Sequence, residues 1–258
     1  MQTGLTGKRA LVLGATRGLG HAIARGLAAE GAQIALAGRT AEKAAAAAAA
    51  IGEGARGYVC DTGDLAQVDA LYKSVATDLG GIDVLVLNSG GPPAGSAMNV
   101  SAENWRKNFE QMFVGLVRLA DQALPGMIER KWGRVIAIAS SGVVQPIPNL
   151  GISNTIRPAL IGWCKSVSSE VAKTGVTVNV ILPGRIDTER VAELDAANAA
   201  RSGADVQNVR AAARDKIPMG RYGEDDEFAA AAIFLASEAA SYVTGSMIRV
   251  DGGAILSV

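Results

Sequence analysis

Short runs of β-forming residues alternate with longer helical stretches along this chain. The runs are Arg9–Leu13, Gln33–Ala37, Gly57–Cys60, Ile82–Leu87, Arg134–Ala139, Val176–Leu182 and Met247–Val250. Several are apolar without interruption, such as Val84–Leu87 and Val135–Ala139, as parallel strands covered on both faces must be. Between them the pattern predicts helices over 18–30, 41–51, 64–79, 101–130, 151–174 and 224–237. Strand–helix alternation implies right-handed crossovers. The expected fold is therefore α/β, a Rossmann-type doubly wound parallel sheet of about seven strands with helices on both faces.

Two stretches need a separate decision. Ala44–Ala50 is a run of seven alanines; helix is preferred to linker, because alanine is the best helix former and a crossover helix is due there. The polar, Arg- and Ala-rich segment at about 188–216 is the longest departure from the alternation. It reads either as a helical lid over the carboxyl ends of the strands, where open α/β sheets bind ligands, or as a peripheral insertion. No linker or repeat divides the chain, so residues 1–258 are read as one domain.

Composition narrows the function. Hydrophobic residues make up 49% and charged residues 19% of 258, enough to build a core. Lys+Arg and Asp+Glu number 25 each. No basic excess marks a nucleic-acid binder, and no apolar run has the length of a membrane span. The N-terminal stretch is too short for a signal-peptide core, which predicts a cytoplasmic protein. Two cysteines and one histidine suit neither a disulfide framework nor a structural zinc site.

The first run leads directly into Gly14-Ala-Thr16-Arg17-Gly18-Leu19-Gly20 and then a helix. Glycines there let the backbone turn tightly and approach a pyrophosphate, while the helix points its N-terminal amides at the anion. About twenty residues on, an acidic residue for the ribose 2′-hydroxyl is usual. This chain has Ala37-Gly38-Arg39 instead. Arg39, with Arg17 in the turn, suits a 2′-phosphate and favours NADP(H) over NAD(H). His21 opens the helix at the phosphate end and is read as a helix-surface residue, far from any hydride transfer.

With these motifs in place the chain resembles the short-chain dehydrogenase/reductase family, most closely its 3-oxoacyl-carrier-protein-reductase-like members. Gly14, Gly18 and Gly20 match the family's spaced glycines, and Asp61 matches the residue that holds the adenine. Asn88-Ser89-Gly90-Gly91 stands for the family's Asn-Asn-Ala-Gly, and Pro183-Gly184 through Ile186 and Thr188 for the segment packed on the nicotinamide. The C-terminal pattern, from Gly220 to Val250-Asp-Gly-Gly, also fits. The resemblance implies cofactor contacts at Gly14, Thr16, Arg17, Gly18, Leu19, Gly20, Arg39, Asp61, Thr62, Asn88, Ser89, Gly90, Arg157, Pro183, Gly184, Ile186 and Thr188.

The family's catalytic Asn, Ser, Tyr and Lys fare differently. Aligned without gaps, only Ser140 survives: Ser153 stands at the Tyr position, Arg157 at the Lys position and Met112 at the Asn position. No tyrosine lies between Ser140 and Pro183, so an alignment slip does not hide one. An aliphatic hydroxyl is a far weaker acid than a phenol, and Arg stays protonated. Loss of a positioned general acid costs about 10²–10⁴ in rate.

Three readings follow. The first is a divergent NADP(H)-dependent oxidoreductase acting on a small carbonyl or hydroxyl substrate. Ser140 holds the oxygen, and Ser153 with water is one proton source. Arg157 orients the cofactor ribose or an anionic group, and Arg185, Arg190, Arg201 and Arg210 offer further cations. The second is a catalytically impaired dinucleotide-binding protein, a sensor or inactive subunit. The third, cofactor-free chemistry like that of halohydrin dehalogenases, ranks last, because those relatives keep the Tyr and lose the glycine loop. The long helices at 101–130 and 151–174 and the apolar tail Ala254–Val258 predict a homo-oligomer, a tetramer.

Overall fold

The computed structural model describes residues 2–257. All seven strands are parallel and form one sheet: β1 (Arg9–Val12), β2 (Gln33–Gly38), β3 (Arg56–Val59), β4 (Val84–Leu87), β5 (Gly133–Ile138), β6 (Val176–Pro183) and β7 (Met247–Val250). The spatial order is β3-β2-β1-β4-β5-β6-β7. It runs outward from β1 in one direction and from β4 in the other, which creates a switch point between them. The doubly wound expectation holds.

Alternate residues of each strand enter opposite layers. Leu11, Leu85, Val135 and Val178 pack with α3 (Leu65–Leu79), α5 (Gly115–Glu129) and α6 (Gly151–Val171). Val12, Leu36, Val86 and Ile136 pack with α1 (Gly18–Ala29), α2 (Ala41–Ile51) and α9 (Asp225–Ala236). The alanine run lies within α2, where Ala44, Ala47 and Ala48 are buried. Small side chains let that helix lie close: a Cβ on Gly57 would stand 2.3 Å from the Ala44 carbonyl oxygen.

One expected helix and the 188–216 segment are each subdivided. The stretch read as one helix over 101–130 is α4 (Ala102–Phe109), a π-helical turn at Glu110–Val114, and α5. The turn is held from outside, since the Thr62 hydroxyl donates to the Gln111 carbonyl at 2.9 Å. The 188–216 segment is two helices, α7 (Glu189–Ser202) and α8 (Val206–Arg214), separated at Gly203, where φ is +69°. Of the apolar tail, Ile255 is buried and Leu256 exposed, and Val258 lies outside the described residues. Among the described residues no helix is long and apolar enough to cross a membrane.

Candidate active site

The segments leaving β1, β4, β5 and β6 at their carboxyl ends build one cleft. The turn after β1 is left-handed at Gly14 (φ +55°) and Gly18 (φ +56°). At Gly20 a Cβ would stand 2.5 Å from the Gly14 carbonyl oxygen, so only glycine lets α1 begin this close. Asn88, at the end of β4, donates its side-chain amide to that same carbonyl at 3.1 Å. Thr16 packs into the space above Gly38, where a Cβ would meet its methyl group at 2.2 Å. Leu19 packs on the α1 side of the core. The Arg17 side chain makes no cap to α1, and the first turn carries no acid. Its N-terminal amides and dipole are thus left for an anion from elsewhere, which fits the pyrophosphate of a dinucleotide.

Arg17 itself points across the cleft, donating to Glu189 at 2.7 Å and Glu193 at 2.8 Å on α7. The expected pairing of Arg17 with a 2′-phosphate is therefore not the arrangement seen. Arg39 is exposed, and among the described residues it has no salt-bridge partner. After β3, the Asp61 carboxylate accepts from the Gly63 amide at 2.9 Å, and Thr62 closes the π turn. Ser89 is buried, with a hydroxyl that has no partner; Gly90 beside it is open. Pro183 ends β6 opposite Val250, and the Gly184 amide donates to the Val250 carbonyl at 2.9 Å. Ile186 is buried, and Thr188 caps α7 while lying 3.8 Å from a Cβ built on Gly18. His21 stays on α1, with Nδ1 near the Ala15 carbonyl at 3.3 Å.

At the end of β5, the Ser140 hydroxyl oxygen accepts from the Gly142 amide at 3.1 Å. Ser153 and Arg157, one turn apart on α6, are both buried. Arg157 Nε donates to Ser153 Oγ at 3.1 Å, and Nη1 donates to the Ile138 carbonyl at 2.9 Å. Arg157 is thereby drawn to the strand that carries Ser140. Asn154 stitches the same corner: its Oδ1 lies 2.4 Å from a Cβ built on Gly142, and its amide donates to the Ile147 carbonyl at 2.9 Å. Burial, then the positive charge of Arg190, push the Arg157 guanidinium down to about 10. Met112 is buried in the π turn and brings no polar atom capable of a strong hydrogen bond.

A family profile described as Enoyl-(Acyl carrier protein) reductase matches residues 14–254. The 3-oxoacyl-[acyl-carrier-protein] reductase FabG of Vibrio harveyi is 34% identical, over 96% of this chain and 98% of that one. The chain belongs to the short-chain dehydrogenase/reductase family. Among solved structures, the L-sorbose reductase from Gluconobacter frateurii, complexed with NADPH and L-sorbose, superposes with a TM-score of 0.94 at 34% identity, each chain fully covered. YwfH, an NADPH dependent reductase involved in bacilysin biosynthesis, superposes with a TM-score of 0.92 at 29% identity, covering 97% of this chain and 99% of that one.

In this short-chain dehydrogenase/reductase the arginines of the 185–210 region are not equivalent. Arg185 donates to Asp195 and Arg210 grips Asp187 at 2.9 and 3.0 Å, while Arg201 bonds Asn198 at 2.9 Å. These three are occupied within the chain, contrary to the expectation of free cations. Arg190 is held more loosely: its Nη1 lies 3.5 Å from the Glu193 carboxylate, and its Nη2 donates to the Pro92 carbonyl at 2.7 Å and packs over Gly91. Sequence reasoning missed Asp195, which is fully buried and takes a second hydrogen bond from Tyr222 at 2.9 Å. One of three acids in an Ala-rich helix, it gives no local sign of such a role.

Proposed function

We propose that this protein is an NADP(H)-dependent oxidoreductase acting on a carbonyl or hydroxyl substrate, with a site built from Ser140, Ser153 and Arg157. The observation that carries the reading is the state of the two hydroxyls. Each accepts from a fixed N–H, Ser140 from Gly142 and Ser153 from Arg157. Each therefore keeps its own O–H for a substrate oxygen. NADPH, held by the Gly14–Gly20 turn and the N-terminus of α1, would supply the hydride for the carbonyl carbon, being oxidised to NADP⁺. As the C=O π pair moves onto oxygen, the two hydroxyls and the guanidinium behind Ser153 stabilise the negative charge; solvent then gives that oxygen its proton. Polar groups fixed before reaction stabilise such charge most effectively in a buried site.

The cofactor preference rests on Arg39, which is exposed at the end of β2 and has no acidic partner among the described residues. The α7–α8 segment serves as the lid of a single domain. A cytoplasmic homotetramer is the expected form, and sedimentation at micromolar concentration tests its size. The measurement that decides function is NADPH oxidation over a panel of ketones, beside a titration of NADPH binding. Ser140→Ala and Ser153→Ala should each lower turnover by about 10²–10³, the usual loss for one oxyanion donor, with NADPH affinity kept. A protein that binds NADPH tightly but oxidises it with no member of the panel is the catalytically impaired sensor or subunit. The buried Met112 in the π turn favours that second reading.

A further inference from the structure

A buried guanidinium needs either a counter-ion or a full set of acceptors, because removing a charge from water costs several kcal/mol. This chain shows how it meets that need when Arg is purely structural. Arg134 is 2% exposed, donates to three carbonyl oxygens (Gly133, Gly175 and Ser237) and stacks on Trp132 at 4.5 Å. Arg157 is also buried but has only one carbonyl and one hydroxyl. A guanidinium carries five N–H donors, so most of its donors lack a protein partner. Among the described residues no carboxylate forms a salt bridge with Arg157, and the charged neighbour it feels is another cation, Arg190. Arg190 leans over the loop after β4, in the space that a side chain at Gly91 would take.

Arg157, in the floor of the cleft with no carboxylate of its own, forms a seat for an anion, and Arg190, whose Nη1 lies 3.5 Å from the Glu193 carboxylate, adds a second positive charge at its edge. The turn at Gly14–Gly20 provides a separate place for cofactor phosphates. We infer that the substrate carries a carboxylate next to its reacting carbon, as a 2-oxo acid or the corresponding 2-hydroxy acid, and that Arg157 and Arg190 bind that carboxylate. Adjacency follows from Arg157 touching Ser153 Oγ at 3.1 Å, the hydroxyl assigned above to the carbonyl oxygen. One guanidinium spans both positions only if the carboxylate and the carbonyl are neighbours. The carboxylate is bound and not altered. This inference rests on the proposed oxidoreductase function.

The test is a binding titration of the protein saturated with NADP⁺, so that no turnover intervenes. The probes are 2-oxobutanoate and its methyl ester, equal in shape at the carbonyl and different in charge. The acid should bind tighter than the ester by about ten- to a hundredfold, the range for charge-assisted hydrogen bonds. Arg157→Gln should abolish the difference and Arg157→Lys should keep part of it. Arg190→Gln, a change at the cleft rim, should reduce it even if Arg157→Gln fails to fold. Thermal unfolding gives a second readout: the acid should raise the Tm of the NADP⁺-bound wild type and the ester should not. Equal affinity for acid and ester overturns the inference, even where NADPH reduces the ester. Equal losses of NADP⁺ and acid affinity in Arg157→Gln overturn it too, because the cation then serves the cofactor. Selective acid binding without NADPH oxidation supports the carboxylate seat and overturns the oxidoreductase reading instead.

Discussion

Gly115 opens α5, and replacing it with alanine should reverse the usual sign of a helical Gly→Ala change. In an open helix position the substitution gains about 1 kcal/mol, because glycine gives up more backbone freedom on folding. At Gly115 the new Cβ would sit 1.9 Å from the Thr62 carbonyl oxygen and 2.9 Å from its carbonyl carbon. Both atoms are backbone, so no side chain can swing aside. Either the helix or the loop must move, at the cost of overpacking, about 1–3 kcal/mol or more. Net destabilisation of about 1–2 kcal/mol corresponds to a Tm fall of about 2–8 °C at this chain length. Gly162, midway along α6 with no atom within 4 Å of a built Cβ, provides the comparison and should gain stability. The displaced loop carries Asp61 and Thr62, so Gly115→Ala should also weaken NADPH binding while Gly162→Ala leaves it unchanged. Paired thermal melts at matched oligomeric state, with a fluorescence titration of NADPH, measure both. A Gly115→Ala protein as stable as Gly162→Ala, with wild-type NADPH affinity, refutes the reasoning.

Arg39→Asp should lower the preference for NADPH over NADH by at least about tenfold, since even one lost charge-assisted bond is worth about 1.5–3 kcal/mol; unchanged Kd ratios count against it. Ser153→Tyr with Arg157→Lys should raise NADPH-dependent ketone reduction beyond the product of the two single effects, because acid and tuner act as one unit; a multiplicative result removes that coupling. Asp83 is held below the usual carboxylate range: burial acts to raise it, but hydrogen bonds from Arg9 and the charges of Arg9 and Arg130 outweigh that. Its folded value lies below its unfolded one, so its stabilisation is present at neutral pH and is lost as pH falls through the folded value. Asp83→Asn should therefore cost about 1–3 kcal/mol at pH 7, less than for a fully buried pair because both arginines reach solvent, with the gap to wild type closing in acid. Denaturant melts across pH check this, and a gap that widens in acid contradicts it.

Much of the layered fold was legible because burial on both faces demands unbroken apolar runs, and Val84–Leu87 and Val135–Ile138 within β5 are such runs. The glycine turn was legible because left-handed backbone at Gly14 and Gly18 restricts the residue type there. What escaped depends on contacts distant in sequence. The π turn at Glu110–Val114 is held by Thr62, and nothing within 101–130 announces it. Arg17 finds its partner Glu189 across 172 residues, and Asp195 meets Arg185 through a fold rather than a motif. The same holds for Arg157: its identity was readable, but its lack of a carboxylate partner belongs to the packed chain.

The helix α7 is fastened unequally along its length, loosely at its first turn and firmly in its middle. Its first turn is held by Arg17, which reaches Glu189 and Glu193, and by Arg190, which reaches the Pro92 carbonyl; the two side chains are 51% and 38% exposed. Contacts of that kind are weak and fade in salt. Its middle is nailed down by Asp195, fully buried between Arg185 and Tyr222. A rigid flap swinging on a hinge would have to tear out that aspartate. Unwinding of the first turn, from Glu189 to Glu193, breaks the exposed ion pairs, the Thr188 cap and the Arg190–Pro92 hydrogen bond, and leaves Asp195 in place. Fraying of that turn should therefore be favoured by ionic strength, while the helix at Asp195 stays anchored.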